Sequence, residues 1–354
     1  MKAARLHAPR DLRIDDVPAP ELRPDAVLVN IGATGICGSD VHIFQDGRIS
    51  NVHLTEPLIL GHEISGTVAE VGEQVQGLEP GVKVAMDPGI PCGICEYCVQ
   101  GHYNVCPDML FAGMPPMDGG FCNQMVLPPS CLFPVPDDFT HGEGVLIETM
   151  AVGLHAVDLA HLKAGGTAAI FGCGPIGQTV VQCLQVAGAQ DIIAVDPVQH
   201  RLDVATQSGA TAGINPTEEN PLEVIMDLTG GRGVDVALEA AGEPEVPGWC
   251  VEAARPGGRV VLIGIPADDN IAFKAAPARR KGLTIALTRR SRHNYPRCIK
   301  LVENAAVDLQ PLVTHEFALD QISEAVNLVE KRSDGVIKAV ITFNESGKDH
   351  VNTQ

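Results

Sequence analysis

The rhythm of apolar and polar residues changes near the middle of the chain. Up to about Met150, short apolar runs are broken by Gly and Pro every few residues, as in Val27-Leu28-Val29-Asn30-Ile31, Gly66-Thr67-Val68-Ala69-Glu70-Val71 and Lys83-Val84-Ala85-Met86. This spacing predicts short strands, tight turns and long loops in a compact barrel-like β body. After about Leu154, apolar strands alternate with helical stretches. Thr167-Ala168-Ala169-Ile170-Phe171 reads as a buried strand, Pro175 to Ala187 as a helix, and Asp191 to Val195 as the next strand. Further strands are expected at Val234 to Leu238, Arg259 to Ile263 and Leu283 to Leu287. Such alternation predicts a doubly wound parallel sheet. Beyond about Thr288 the pattern is mixed and ends in the strand-like Gly335 to Phe343, so the tail is expected to rejoin the first domain. The fold class is therefore α/β with a β-rich second domain, divided as 1–153, 154–287 and a returning 288–354.

Composition narrows the class. The 354 residues exceed what one core usually organises, which agrees with two domains. Lys and Arg number 25 against 44 Asp and Glu, a net charge of −19. A surface this acidic repels phosphate backbones and anionic lipid, so nucleic-acid and membrane partners are excluded. No run approaches the ~18 apolar residues of a membrane span. Met1 to Asp16 alternates charged and apolar residues and has no signal-peptide core. Eleven cysteines without an export signal imply a reducing, cytoplasmic setting, with thiols serving as metal ligands or small apolar groups.

Four of those cysteines fall as Cys92-x2-Cys95-x2-Cys98-x7-Cys106. A disulfide staple suits small extracellular folds, whereas four thiolates at this spacing close around one tetrahedral Zn²⁺ and leave no open position. A structural zinc lobe over about 88–110 is expected.

Gly172-Cys173-Gly174-Pro175-Ile176-Gly177 follows the strand Thr167 to Phe171 and opens a helix. In that setting the first Gly makes the tight turn, the second lets backbone approach a pyrophosphate, and the third packs helix on strand. Asp196 ends the next strand, at the offset of a carboxylate that accepts from ribose hydroxyls. It would repel a 2′-phosphate, so NAD is expected over NADP. Arg201, five residues on, is placed along the adenine side or against Asp196 or Asp203.

Cys37, in Gly35-Ile36-Cys37-Gly38-Ser39-Asp40-Val41-His42, and His62-Glu63, in Gly61-His62-Glu63-Ile64-Ser65-Gly66, form a second candidate metal set. The latter run continues to Val75 as GHE-x2-G-x5-G-x2-V. One thiolate, one imidazole and one carboxylate bind Zn²⁺ and leave a position for substrate. Ser39 can accept a substrate proton and His42 can pass it to solvent.

The cysteine lobe, the nucleotide turn and this signature occur in the order and spacing of zinc-dependent medium-chain alcohol dehydrogenases, which the chain resembles from end to end. The resemblance implies a GroES-like catalytic domain, a Rossmann NAD domain, catalytic and structural zinc, and a dimer or tetramer. Phe111-Ala112-Gly113-Met114-Pro115-Pro116-Met117-Asp118-Gly119 resembles the F-x-x-x-P-P-x-D-G segment of the sorbitol and xylitol branch, where the aromatic residue lines the substrate pocket. Glu148 lies where that branch carries a glutamate beside the metal, as third ligand or as its catalytic partner. The branch also has an arginine followed by an aromatic residue before Tyr295-Pro296. Arg290 matches the arginine, and Ser291 departs from the aromatic, which leaves the polyol unspecified. The implied substrate is a small polyol, with threonine, butanediol or another diol or amino alcohol as the alternative.

Overall fold

The computed structural model describes residues 1–266 and 270–343. Its contacts divide into two compact units. The first comprises Met1–Ile90, Leu110–Leu146 and the described residues from Val313 on; the second comprises Pro91–Met109 and Ile147–Leu312.

The first unit is built on a seven-stranded sheet. Its central strand, Val27–Gly35, pairs antiparallel with Glu63–Val71 on one side and with Lys338–Thr342 on the other. Val27–Gly35 largely alternates between buried and less buried positions, as a half-covered antiparallel strand does. Val29, Ile31, Ile64, Val68, Leu127 and Ile341 supply its aliphatic core.

The register decides what this sheet displays. Gly35 sits opposite both Glu63 and Val340. The strand Val27–Gly35 therefore ends where Glu63–Val71 begins, and Cys37 and His62 lie just past those paired ends. Lys338, the first residue of its strand, arrives at the same end of the sheet.

The second unit holds a six-stranded parallel sheet. In spatial order its strands are Ala212–Ile214, Asp191–Val195, Thr167–Phe171, Val234–Glu239, Ala254–Leu262 and Thr284–Leu287. Thr167–Phe171 and Asp191–Val195 are buried at four of five positions, as expected of parallel strands with covered faces. The helix Pro175–Val186 follows the first of these strands and is predicted within one residue of its end.

The unit boundaries differ from the expected ones in two respects. The tail leaves the second unit at Leu312 rather than at 288. Tertiary hydrogen bonds account for this: Asn294 donates to the Ala151 carbonyl, and Gln182 both donates to the Asp308 carbonyl and accepts from its amide. The cysteine lobe, placed by the sequence with the β-rich domain, groups with the parallel-sheet unit. There Asn104 donates to the Arg289 carbonyl, and the His293 amide donates to the Tyr103 hydroxyl.

Candidate active site and metal centres

Cys37, His62 and Glu63 converge in the first unit, with donor atoms all within 4.8 Å of one another. Cys37 is the N-cap of the helix Gly38–Asp46, and its extended backbone turns the chain from strand into helix. Ser39 is buried in the first turn of that helix, its Oγ 3.4 Å from His62 Nε2. His42 is half-buried one turn further along. The Phe111 ring lies 5.3 Å from the His62 ring, tilted by 48°. The register thus gathers five of the expected residues around one corner of the sheet, with His42 on the same short helix.

Two residues at this corner escaped the sequence reading. Asp40 is 1% exposed and divides its carboxylate among three groups on two segments. Its Oδ2 accepts from the Cys37 amide, its Oδ1 accepts from the Gly61 amide, and Oδ1 also lies 3.4 Å from His62 Nδ1. A carboxylate behind a metal-binding imidazole fixes the ring's orientation. Its signal was available: an acidic residue three positions after the metal-set Cys37, which is also the helix N-cap. Lys338 is the other. Its Nζ donates to both Glu63 oxygens, at 2.6 and 2.5 Å. A lysine inside the apolar run Val336-Ile337-Lys338-Ala339-Val340 needs a buried partner, but nothing in the string says which.

The corner fits a divalent ion. Burial opposes the His62 imidazolium, yet the Asp40 carboxylate and the Cys37 sulfur outweigh it and raise the pKa well above the ordinary 6.5. The same negative field draws a dication. His62 Nδ1 is buried without an aligned hydrogen-bond partner, and the donor set mixes sulfur, nitrogen and oxygen as zinc accepts.

The second cluster, Cys92, Cys95, Cys98 and Cys106, also has its donors within 4.8 Å. Cys95 Sγ is 3.9 Å from Cys106 Sγ, and the Cys92 amide approaches Cys106 Sγ at 3.4 Å. Backbone amides of Ile94 and Cys95 bring the Cys92 thiol down to about 7, while desolvation and the neighbouring thiols push Cys98 up to about 12, as expected of four thiols crowded together. The other thiols behave as small apolar groups. Burial pushes Cys122, Cys131 and Cys183 up to about 12, and Cys173, Cys250 and Cys298 shift the same way for the same reason.

In the second unit the glycine turn has the geometry of a nucleotide cradle. Gly172 has φ +96°, and a Cβ there would meet the Ala240 and Ala241 backbone at 2.7 Å. A Cβ on Gly177 would sit 1.9 Å from the Gly172 carbonyl oxygen, so this glycine permits helix–strand contact. Gly174, by contrast, faces open space, with only Arg201 Nη1 as near as 4.0 Å. It is the N-cap of Pro175–Val186, with Pro175 and Ile176 in the first turn. Asp196 is 3% exposed and accepts from the Cys173 and Val198 amides. Arg201 Nη1 stands 4.0 Å from it.

Glu148 lies two turns into the helix His141–Ala160, half-buried, so it is not a helix cap. Arg290 has φ +53° and its guanidinium lies against the Met109 sulfur.

The pattern of the alcohol dehydrogenase GroES-like domain matches residues 23–137, and that of the zinc-binding dehydrogenase domain matches 175–304. Sorbitol dehydrogenase of Bacillus subtilis is 37% identical over 344 residues, 97% of this chain and 98% of the relative. The chain belongs to the zinc-dependent medium-chain alcohol dehydrogenase family. Among solved members of this family, an Escherichia coli oxidoreductase of unknown specificity superposes with a TM-score of 0.93 at 32% identity, covering 97% of this chain and 99% of that one. Galactitol-1-phosphate dehydrogenase from Escherichia coli superposes with a TM-score of 0.89 at 29% identity, covering 97% and 100%. Membership makes the chain an oxidoreductase that uses zinc and NAD. Among the described residues, no helix is long and apolar enough to cross a membrane.

Proposed function

We propose that this chain oxidises a secondary hydroxyl of a polyol or sugar alcohol to a ketone, reversibly, with NAD as hydride acceptor. The carrying observation is the convergence of Cys37, His62 and Glu63 beside Ser39 and Phe111. When bound, zinc polarises the reacting oxygen and NAD takes the hydride. Cys37, His62 and Glu63 hold the catalytic ion, with Glu148 the alternative carboxylate. Asp40 keeps the His62 ring in register. Ser39 accepts the hydroxyl proton and His42 relays it outward, while Phe111 and Arg290 shape and bind the substrate. Cys92, Cys95, Cys98 and Cys106 hold the structural ion. Gly172, Gly174 and Gly177 admit the pyrophosphate to the turn opened by Pro175 and Ile176. Asp196 accepts from the ribose hydroxyls, and Arg201 lies along the adenine side.

The small-polyol substrate follows the identity to sorbitol dehydrogenase over nearly the whole chain. A cytoplasmic setting agrees with eleven unpaired cysteines. A homo-oligomer, dimer or tetramer, is proposed on family membership and is checked by light scattering. The deciding experiment is NADH formation from NAD⁺ across four- to six-carbon polyols, with threonine and butanediol beside them. Turnover of several polyols is expected; vigorous turnover of threonine or butanediol with none of any polyol refutes the reading.

A further inference from the structure

Lys338 is 1% exposed, a burial that lysine tolerates only with a full partner. Its ammonium holds both oxygens of Glu63 at 2.6 and 2.5 Å and stands 3.4 Å from the Ile36 carbonyl, next to Cys37. The lane between lysine and glutamate runs over Gly35. A Cβ at that position would fall 2.1 Å from Glu63 Oε2 and 2.7 Å from Val145 Cγ1, so the missing side chain is what admits the carboxylate.

Charge and lone pairs set the consequence. With Cys37 as a thiolate and His62 as a neutral imidazole, the forms in which both bind a metal, this buried corner carries negative charge on Cys37, Asp40 and Glu63 and positive charge on Lys338. A dication brings the sum of these groups to zero. Each charge-assisted hydrogen bond from Lys338 lowers the basicity of the Glu63 oxygen it reaches, and the ammonium repels the metal directly. Glu63 is thus already engaged on both oxygens by a fixed internal cation.

Building on the metal corner proposed above, we propose that Lys338 is a positioning residue that makes Glu63 a weak, exchangeable ligand of the catalytic ion.

The test is zinc affinity rather than turnover. The full-length, zinc-loaded chain is titrated with a chromogenic chelator and zinc is counted per chain, the four-cysteine site serving as internal reference. Lys338→Met frees the Glu63 carboxylate for the metal, and the corner zinc should bind about tenfold tighter or more, while Lys338→Arg stays within about threefold of the parent. Corner zinc that binds no tighter in Lys338→Met overturns the proposal. If that variant fails to fold, the double change Lys338→Met with Glu63→Gln removes both members of the buried ion pair together, so neither is left without the other. Its corner zinc should stay within about tenfold of the parent, and a loss approaching a hundredfold would identify Glu63 as a full ligand and overturn the proposal. A parent chain that holds only one zinc, at the four cysteines, sinks the metal corner itself, a result distinct from two zincs with unaltered affinity.

Discussion

Asp40 shows how one side chain organises a site at the residue scale. Its two oxygens accept from the Cys37 and Gly61 amides and face His62 Nδ1, so one carboxylate ties both metal-bearing segments together. Asp40→Asn keeps the shape but removes the charge behind the imidazole. It should weaken the corner zinc about 10- to 100-fold, read by chelator competition, and leave the four-cysteine zinc unchanged. Cys37→Ser or His62→Ala should lower the zinc count from two per chain to one and abolish turnover, with NAD binding retained by fluorescence titration. Full activity in either variant would remove the assigned metal mechanism. Asp196 belongs to the same scale. Its Oδ1 and Oδ2 already accept backbone amides, so Asp196→Asn removes charge at a position whose hydrogen bonds also hold the turn. The ratio of kcat/KM for NAD to that for NADP should fall about tenfold or more in this variant. An unchanged ratio would take cofactor choice away from Asp196.

Elements carry a different kind of constraint, set by how closely backbone can approach backbone. The helix Pro175–Val186 touches the strand Thr167–Phe171 through Gly177, where a Cβ would lie 1.9 Å from a carbonyl oxygen. Neither partner there is a flexible side-chain tip, so Gly177→Ala must push the helix away from the turn. A destabilisation of about 2 kcal/mol or more is expected by urea unfolding, together with loss of NAD affinity. The parallel sheet supplies a pH-dependent tie as well. Burial opposes the Asp235 carboxylate, but Arg232, Arg255 and Thr167 hold it well below its ordinary 3.8. A depressed carboxylate stabilises the fold above its unfolded pKa and loses that contribution as pH falls through the folded value. The stability difference between the parent and Asp235→Asn, about 1–3 kcal/mol near neutrality, should therefore shrink below about pH 4. A difference that grows on acidification would contradict the assignment.

At the scale of the whole molecule, the charge of −19 sets the response to salt. Self-repulsion on this scale destabilises the compact state and is screened over about 10 Å at 0.1 M ionic strength. The melting temperature should rise between very low salt and about 0.15 M, and a steady fall would show that ion pairs outweigh the net repulsion. Motifs of local origin were legible in the string. Four cysteines at close spacing, a glycine turn between strand and helix, and an abrupt change from turn-broken strands to strand–helix alternation each depend on neighbours within a few tens of residues. Side-chain chemistry and local backbone preference are enough to read them, and they identify zinc, nucleotide and family. Lys338 could not be read in this way, because its partner Glu63 is 275 residues away in sequence. Only the cross-strand register Val340 to Gly35 to Glu63 makes the two neighbours. The lobe's attachment to the second unit and the late return at Val313 likewise rest on long-range hydrogen bonds. The amino-acid string determined which chemical groups the protein owns and which short turns it can form; tertiary structure decided which buried charges face each other, because pairing across a sheet is fixed by register and burial, and neither is a local property of the chain.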